Sequence, residues 1–461
     1  MSSQENNAIK QGNLLRDKGD FDGAIAAYTE AVNLDSQSVD AHCGRAYSYG
    51  KKGESDRAFT DYTEAIRLNP KNTKAYYNRG LIYSKKGCHD EAIADFTEAI
   101  RLNPELLFQV FRERARVYVE KGEFDKAIID STEAIRLNPE FVEAYTMRAS
   151  SYSKKGELDR AITDDTEAIR IDPKYSVAYY NRGLTYSKKG CRDEAIADFT
   201  EVIRLNTEDA EAYYSRGCVY GKKGDRDKAI ADFTEAIRLN PKWFLAFYAR
   251  GYSYVEKGEL DKATIDFTEA IRLNPEYANA YDGRGCSYDR KGDHDRAIAD
   301  FTEAIRLNPK WFQAFYSRGY SYAEKGEFDK AIADYTEAIH LNPKHVGAYY
   351  YRGCAYSKKG DKAKAKADFA QAKKLGYKLL VILYDVMSTL ILLGLMIVFA
   401  NLGKKSNEWF FLMPITVLIW LFIWRRGCRR LLYDMKNTEH PYPPDIPLPQ
   451  NVEPNDEIDQ T

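Results

Sequence analysis

Thr73 to Pro104 reads TKAYYNRGLIYSKKGCHDEAIADFTEAIRLNP. Tyr76, Gly80 and Tyr83 fall at i, i+4 and i+7, one face of a first helix, and Ala92, Phe96 and Ala99 repeat that spacing on a second. Gly87 stands between the two runs, where a left-handed cap ends a helix, and Pro104 stands where a helix cannot continue. The stretch therefore predicts a helical hairpin. Gly80 and Ala92 are small enough for the two backbones to approach, and the Tyr and Phe rings fill the space beside them. One hairpin cannot bury its apolar face alone, so neighbouring copies must stack.

The rest of the chain supplies the copies. Closing prolines, or their substitutes, stand at Ser36, Pro70, Pro104, Pro139, Pro173, Thr207, Pro241, Pro275, Pro309 and Pro343, a step of 34 residues except for 35 between Pro104 and Pro139. A last cycle ends near Tyr377, which makes eleven units between about Glu5 and Tyr377 and a repeat domain over 1–377. The recurring pattern A-Y-Y-x-R-G-x-x-Y, then A-x-x-D-F-x-x-A and Pro, resembles the tetratricopeptide repeat family in the form common in bacterial proteins. The resemblance covers about four fifths of the chain. It implies an all-α, right-handed solenoid of helix-turn-helix units whose first helices line a concave groove that binds peptides or partner helices.

An arginine recurs at one slot on the packed side of the first helix, as in Arg45, Arg79, Arg114, Arg216 and Arg318, and an aspartate at one slot of the second, as in Asp61, Asp95, Asp130, Asp232 and Asp334. The first unit has Gln11 and Ala27 instead, so both charges are lost together. A repeated ion pair explains this, because an arginine left alone near the core would keep a large desolvation cost. Arg79 with Asp95, Arg216 with Asp232 and Arg318 with Asp334 are thus expected to be architectural rather than catalytic.

Next to the Tyr76 stripe, a second aromatic column points to a different face: Tyr77, Tyr180, Tyr214, Tyr248, Tyr316 and Tyr350. Eight residues on comes a charge, mostly lysine (Lys85, Lys188, Lys222) but Glu120, Glu256 and Glu324 in three units. In the family these slots face the groove, and a tyrosine ladder rimmed with lysines suits a peptide carrying acidic side chains. No lysine occupies the Tyr slot, so the carboxylate clamp of some family members is missing. Units four and five depart from the pattern. Ser131 and Asp165 replace the second-helix aromatic, Ala115 and Ala149 the first-helix glycine, and Arg112 and Arg116 the groove-facing Tyr and Leu, which predicts a weakened joint bearing a local basic spot. Trp243 and Trp311 stand in near-identical segments 68 residues apart and are expected to pack between repeats.

Val386 to Gly403 carries no charge and the apolar run starts near Leu379, while Trp409 to Trp424 forms a second apolar stretch. About 20 apolar residues cross a bilayer as a helix, so a membrane hairpin over 378–426 is expected, with spans at about 379–402 and 408–425. Lys373, Lys374 and Lys378 precede it and Arg425, Arg426, Arg429 and Arg430 follow, which places the repeats and the tail in the cytoplasm. The tail, 427–461, is Pro-rich and acidic and is expected to be disordered.

With a net charge of −1 and 30% charged residues, positive and negative groups are interleaved, which argues against a nucleic-acid partner. Seven cysteines and six histidines are scattered without metal-ligand spacing, and the thiols are expected to be reduced. No catalytic motif appears, so neither enzyme activity nor a cofactor is expected. The functional expectation is a membrane-anchored scaffold that binds protein partners in its groove and lipid through the hairpin. An accessory subunit of a membrane transport or secretion complex is the alternative.

Overall fold

The computed structural model describes residues 3–103 and 108–375. Over these residues the chain forms twenty-two helices and no strand. It divides into two compact units, one ending at Lys223 and the other beginning at Gly224, each taken here by itself. The first holds α1 (Ser3–Asp17), α2 (Phe21–Leu34), α3 (Val39–Lys51), α4 (Ser55–Leu68), α5 (Thr73–Lys85), α6 (His89–Leu102), α7 (Phe108–Glu120), α8 (Phe124–Leu137), α9 (Val142–Lys155), α10 (Leu158–Ile171), α11 (Ser176–Lys189), α12 (Arg192–Leu205) and α13 (Ala210–Lys223). The second holds α14 (Arg226–Leu239), α15 (Phe244–Lys257), α16 (Leu260–Leu273), α17 (Ala278–Arg290), α18 (His294–Leu307), α19 (Phe312–Glu324), α20 (Phe328–Leu341), α21 (Val346–Lys358) and α22, over 362–375. Odd numbers are first helices and even numbers second helices. The expected membrane spans, the handover at Gly376 and the tail lie outside the described residues. Among the described residues no helix is long and apolar enough to cross a membrane.

Two local devices set the alternation. Each first helix ends at a glycine of positive φ, 72° at Gly87 and 87° at Gly156, where any side chain would strain the backbone. Second helices other than α6 and α22 end at an Asn or Asp whose side chain folds onto the chain two residues on: Asn69 Oδ1 accepts from the Lys71 amide at 3.0 Å, and Asp172 Oδ1 from that of Lys174 at 2.8 Å.

Inside a hairpin the small residue of the first helix lies under the ring of the second. A Cβ on Gly80 would sit 2.7 Å from the Phe96 ring, and one on Gly285 would sit 2.8 Å from that of Phe301, so glycine is required. The ring also presses on the next first helix, where a Cβ on Gly283 would come within 2.7 Å of Phe267. Units four and five reverse the size order at this contact. Ser131 and Asp165 are small, and the slot held by Gly283 elsewhere becomes Met147 and Asn181, both 2% exposed. Met147 packs into the core with Ala115, Val119 and Ala127, so volume lost from one helix is returned by the next and offsets the expected weakening. Burial pushes the Asp165 carboxyl well above its ordinary value, with the Asp164 charge adding to the shift.

The arginine column holds the hairpins together. Arg79 donates from Nε to Asp95 Oδ2 at 2.8 Å and from Nη2 to Oδ1 at 2.9 Å, while its Nη1 reaches Thr63 Oγ1 of the preceding second helix at 3.3 Å. Arg318 does the same with Asp334, at 2.8 and 2.7 Å, and with Thr302 at 3.1 Å. Arg45, Arg114, Arg148, Arg182, Arg250, Arg284 and Arg352 each repeat this bidentate clasp. Arg216 donates to Thr200 at 3.0 Å within the first unit, while Asp232 belongs to the second. Burial pushes carboxyls such as Asp266 up and the facing guanidinium opposes it, so the pair endures through geometry as well as charge.

Asp300→Asn keeps the shape but leaves Arg284 facing a neutral amide. A loss of about 2 kcal/mol is expected, read as a lower thermal midpoint of the full chain and faster amide exchange across α17 and α18. An unchanged midpoint would show the clasp to be inert.

Candidate functional site

First helices touch their counterparts directly, α5 with α7, α7 with α9 and α9 with α11 in the first unit, and α15 with α17, α17 with α19 and α19 with α21 in the second. Each unit therefore presents one continuous face built from first helices. The tyrosine column expected on that face turns inward instead. Tyr214 and Tyr248 are fully buried, and Tyr180 and Tyr316 nearly so. The Tyr180 ring packs 5.5 Å from Phe199, that of Tyr248 lies 5.8 Å from Phe267, and that of Tyr316 lies 5.9 Å from Tyr335. For Tyr180, Tyr248 and Tyr316 the reason is the close approach of the next first helix, which closes over the ring against the second helix of its own hairpin. Tyr77 is half-buried beside Phe96, and only Tyr350, 46% exposed, is openly presented.

One turn further on, Leu184 is buried, while Leu81, Tyr252 and Tyr320 are half-buried. The charged slot is the one that reaches solvent: Lys85, Lys188, Lys222, Glu120 and Glu324 are exposed and Glu256 is half-buried. Lys188 also donates from Nζ to the Ser153 carbonyl at 2.6 Å, which ties its repeat to the preceding first helix. Trp311 is buried against Ala304 and Ala314, where α18 meets α19.

The basic spot expected at Arg112 and Arg116 is neutralised from within. Glu113, almost wholly buried, pairs with Arg112 at 2.9 Å and with Arg116 at 3.0 Å, and Arg116 also pairs with Glu120 at 2.8 Å and donates to Ser84 Oγ at 3.2 Å. These arginines knit α7 to its neighbour rather than offering free charge. Glu113 sits beside Arg112 in sequence, on a slot that carries no charge in the other repeats with an Arg–Asp clasp, and that was the legible signal.

Two further features passed unnoticed in the sequence. Lys52, Lys121, Lys155 and Lys257 reach back 30 or 31 residues to Asp22, Asp90, Asp125 and Asp227 in the preceding second helix, at 2.5 to 2.6 Å. Such exposed pairs add little stability one by one. In the second unit the tyrosine column is interrupted by Asp282, which is buried without a hydrogen-bond partner for either carboxylate oxygen. Its signal was a lone acid in an aromatic column.

His42 takes the place of the first-helix Tyr76 and is buried. Its Nδ1 lies 3.2 Å from Asp61 Oδ1 and its Nε2 lies 3.2 Å from the Ser36 carbonyl. The Asp61 hydrogen bond raises its pKa above the ordinary histidine value, against the effect of burial. Among the described residues all six cysteines are free and no side-chain group could hold a metal ion.

Family models cover most of this architecture. Models described as TPR repeat match residues 12–53, 51–87 and 149–190. Models described as tetratricopeptide repeat match 73–106, 176–209 and 210–242, then 283–345 and 316–376, with 244–277 and 113–141 matched as well. The chain belongs to the tetratricopeptide repeat family. Among solved tetratricopeptide structures it is similar to YrrB, titled a TPR protein with an unusual peptide-binding site, at 27% identity over 41% of this chain and 97% of that one, with a TM-score of 0.37. MamA is 30% identical over 35% of this chain and 95% of its own, with a TM-score of 0.34. A tetratricopeptide protein from Parabacteroides merdae is 23% identical over 52% of this chain and 95% of its own, with a TM-score of 0.43. No curated protein matches.

His42 sets a pH dependence with a definite sign. A histidine whose folded pKa is raised contributes stability that is fully present below the unfolded value, about 6.5, and is lost as pH rises through the folded value. The thermal midpoint of the wild-type chain should therefore exceed that of His42→Gln by more at pH 5.5 than at pH 8.5. An equal gap at the two pH values would show that the Asp61 contact does not bias protonation.

Proposed function

We propose that the chain is a membrane-anchored, non-catalytic scaffold that binds peptide or helical segments of protein partners along the first-helix faces of its tetratricopeptide units. The observation that supports this reading is a contrast inside one chain. Slots that build the hairpins hardly change: the Arg–Asp clasp, the turn glycine and the small residue under the ring recur from repeat to repeat. The solvent-reaching slot of the same first helices changes sign within each unit, from Lys85 to Glu120 and back to Lys154, Lys188 and Lys222 in the first, and from Glu256 to Arg290, Glu324 and Lys358 in the second. Stacking alone would need no such variation, whereas recognition of a particular extended partner needs a particular order of charges. Buried tyrosines serve this face by stiffening its floor, and the charged slot makes the contacts.

The anchor in this reading is 378–426, with spans at about 379–402 and 408–425 that contact lipid, and the flanking lysines and arginines hold both the repeats and the tail 427–461 on the cytoplasmic side. A net charge of −1 fits protein rather than nucleic-acid partners.

Proximity labelling with the full chain tests both halves. Replacing Lys85, Lys188 and Lys222 by Glu should remove most labelled neighbours while the helical circular dichroism is unchanged, and an unaltered set would move the binding face elsewhere. Alkaline washing of the same membranes should leave the full chain in the pellet and release a chain ending at residue 376. Release of the full chain would overturn the anchor.

A further inference from the structure

Asp282 stands on α17 at the slot occupied by Tyr180, Tyr248 and Tyr316 in other repeats. Tyr180 shows how that slot is normally satisfied, since its hydroxyl lies 3.1 Å from the hydroxyl of Ser215 on the next first helix, 35 residues on. Ser317 holds the corresponding place after Asp282. An aspartate is too short to follow the tyrosine path, and the consequence is visible at Ser317. Asp282 is 1% exposed, neither of its carboxylate oxygens has a hydrogen-bond partner, and neither does Ser317 Oγ. On the preceding first helix the fully buried Tyr248, whose titration feels the Asp282 charge, meets Gly283 in the place where Tyr180 finds Ser215, and its hydroxyl has no partner either. Asp289, two turns along α17, is different: it accepts from Ser321 Oγ at 2.6 Å and faces His294 Nδ1 at 2.9 Å.

Buried polar atoms are ordinarily paired, and an unpaired carboxylate with unpaired hydroxyls on the first helices to either side works against stability. Burial pushes the Asp282 carboxyl up to about 7, so an arriving cation would find a group that ionises readily in its presence. The tyrosine used by the other repeats would relieve the conflict, and rules of this kind are broken mainly where a site is served.

We propose that Asp282, with the hydroxyls of Ser317 and Tyr248, receives the primary ammonium of a lysine side chain from a segment bound along the first-helix face of the second unit. This rests on the reading of that face as partner-binding. A lysine ammonium carries three donors and no acceptor, matching one carboxylate and two hydroxyl oxygens, whereas the flat fork of an arginine calls for paired coplanar acceptors. One turn beyond, on the helices to either side, stand the half-buried rings of Tyr252 and Tyr320, which would flank a lysine stem and favour its charge. Each is followed a turn later by a carboxylate. Glu256 accepts from the Tyr252 hydroxyl at 3.2 Å and is paired with Arg226, while Glu324, hydrogen-bonded to Tyr320, is exposed and adds negative charge that steers a basic segment.

The test uses the folded full chain and acetylated, fluorescein-labelled oligopeptides selected on it from a random library, each remade with single lysines replaced by norleucine. Selected peptides should contain a lysine whose replacement weakens binding about tenfold or more. That difference should vanish in Asp282→Tyr, which restores the repeat's own residue and should raise the thermal midpoint, while the norleucine forms bind both chains alike. Asp282→Asn provides the same reading should the tyrosine not fit. A lysine preference unchanged in both variants overturns the assignment and leaves the scaffold reading standing, and so does a set of binders indifferent to lysine. No binder at all on a folded chain overturns the scaffold reading and the assignment together. Equal thermal stabilisation by potassium and n-butylammonium, lost in Asp282→Asn, would give the site to inorganic cations and overturn the lysine assignment.

Discussion

Both units depend on a guanidinium placed where three helices meet. In each clasp the arginine of a first helix takes both oxygens of an aspartate on its own second helix and gives its remaining nitrogen to a threonine of the helix before. The bidentate half fixes the angle within a hairpin and the threonine half fixes the step to the previous one. Aromatic rings on either side, such as Tyr76 and Tyr83 at 5.8 and 5.9 Å from the Arg79 guanidinium, shield the charge without denying it a partner. Taken alone, a partly buried pair of this kind contributes little net stability. Its worth lies in refusing any other register, because a one-residue slip would leave a charge unpaired near the core.

Much of this was legible before any coordinate. The helical hairpin followed from spacing and from Gly87, and the pairing of Arg79 with Asp95 followed from two columns that appear together and vanish together at Gln11 and Ala27. The threonine half was not seen, since a threonine on a helix surface has many uses and nothing in its column calls for an arginine. The inward turn of Tyr214 and Tyr248 was hidden for a different reason. Helical periodicity says which way a side chain leaves its own helix and is silent on how near the neighbouring helix will come.

The same limit explains Ser131 and Met147. Read along one hairpin, a serine in an aromatic slot is a loss; read across the stack, it is half of an exchange in which bulk moves from a second helix to the following first helix. Arg112 and Arg116 taught the converse, because a charge count finds two cations while the contact finds Glu113 between them. Face residues can be named from a column, but whether a named residue is free depends on pairs of columns.

The clasp recurs from step to step within each unit, and each arginine looks back to a threonine that the previous repeat carries. A block of 34 residues removed from, or inserted into, the interior of either unit thus rejoins like with like. Length becomes a quantity that recombination between repeats can edit in whole steps, leaving the remaining clasps as they were. The near-copies around Trp243 and Trp311, 68 residues apart, have the form such an event would leave, with two repeats as the inherited block. What an edit of this kind would alter is the length of the unit that carries it, and so the reach of its first-helix face.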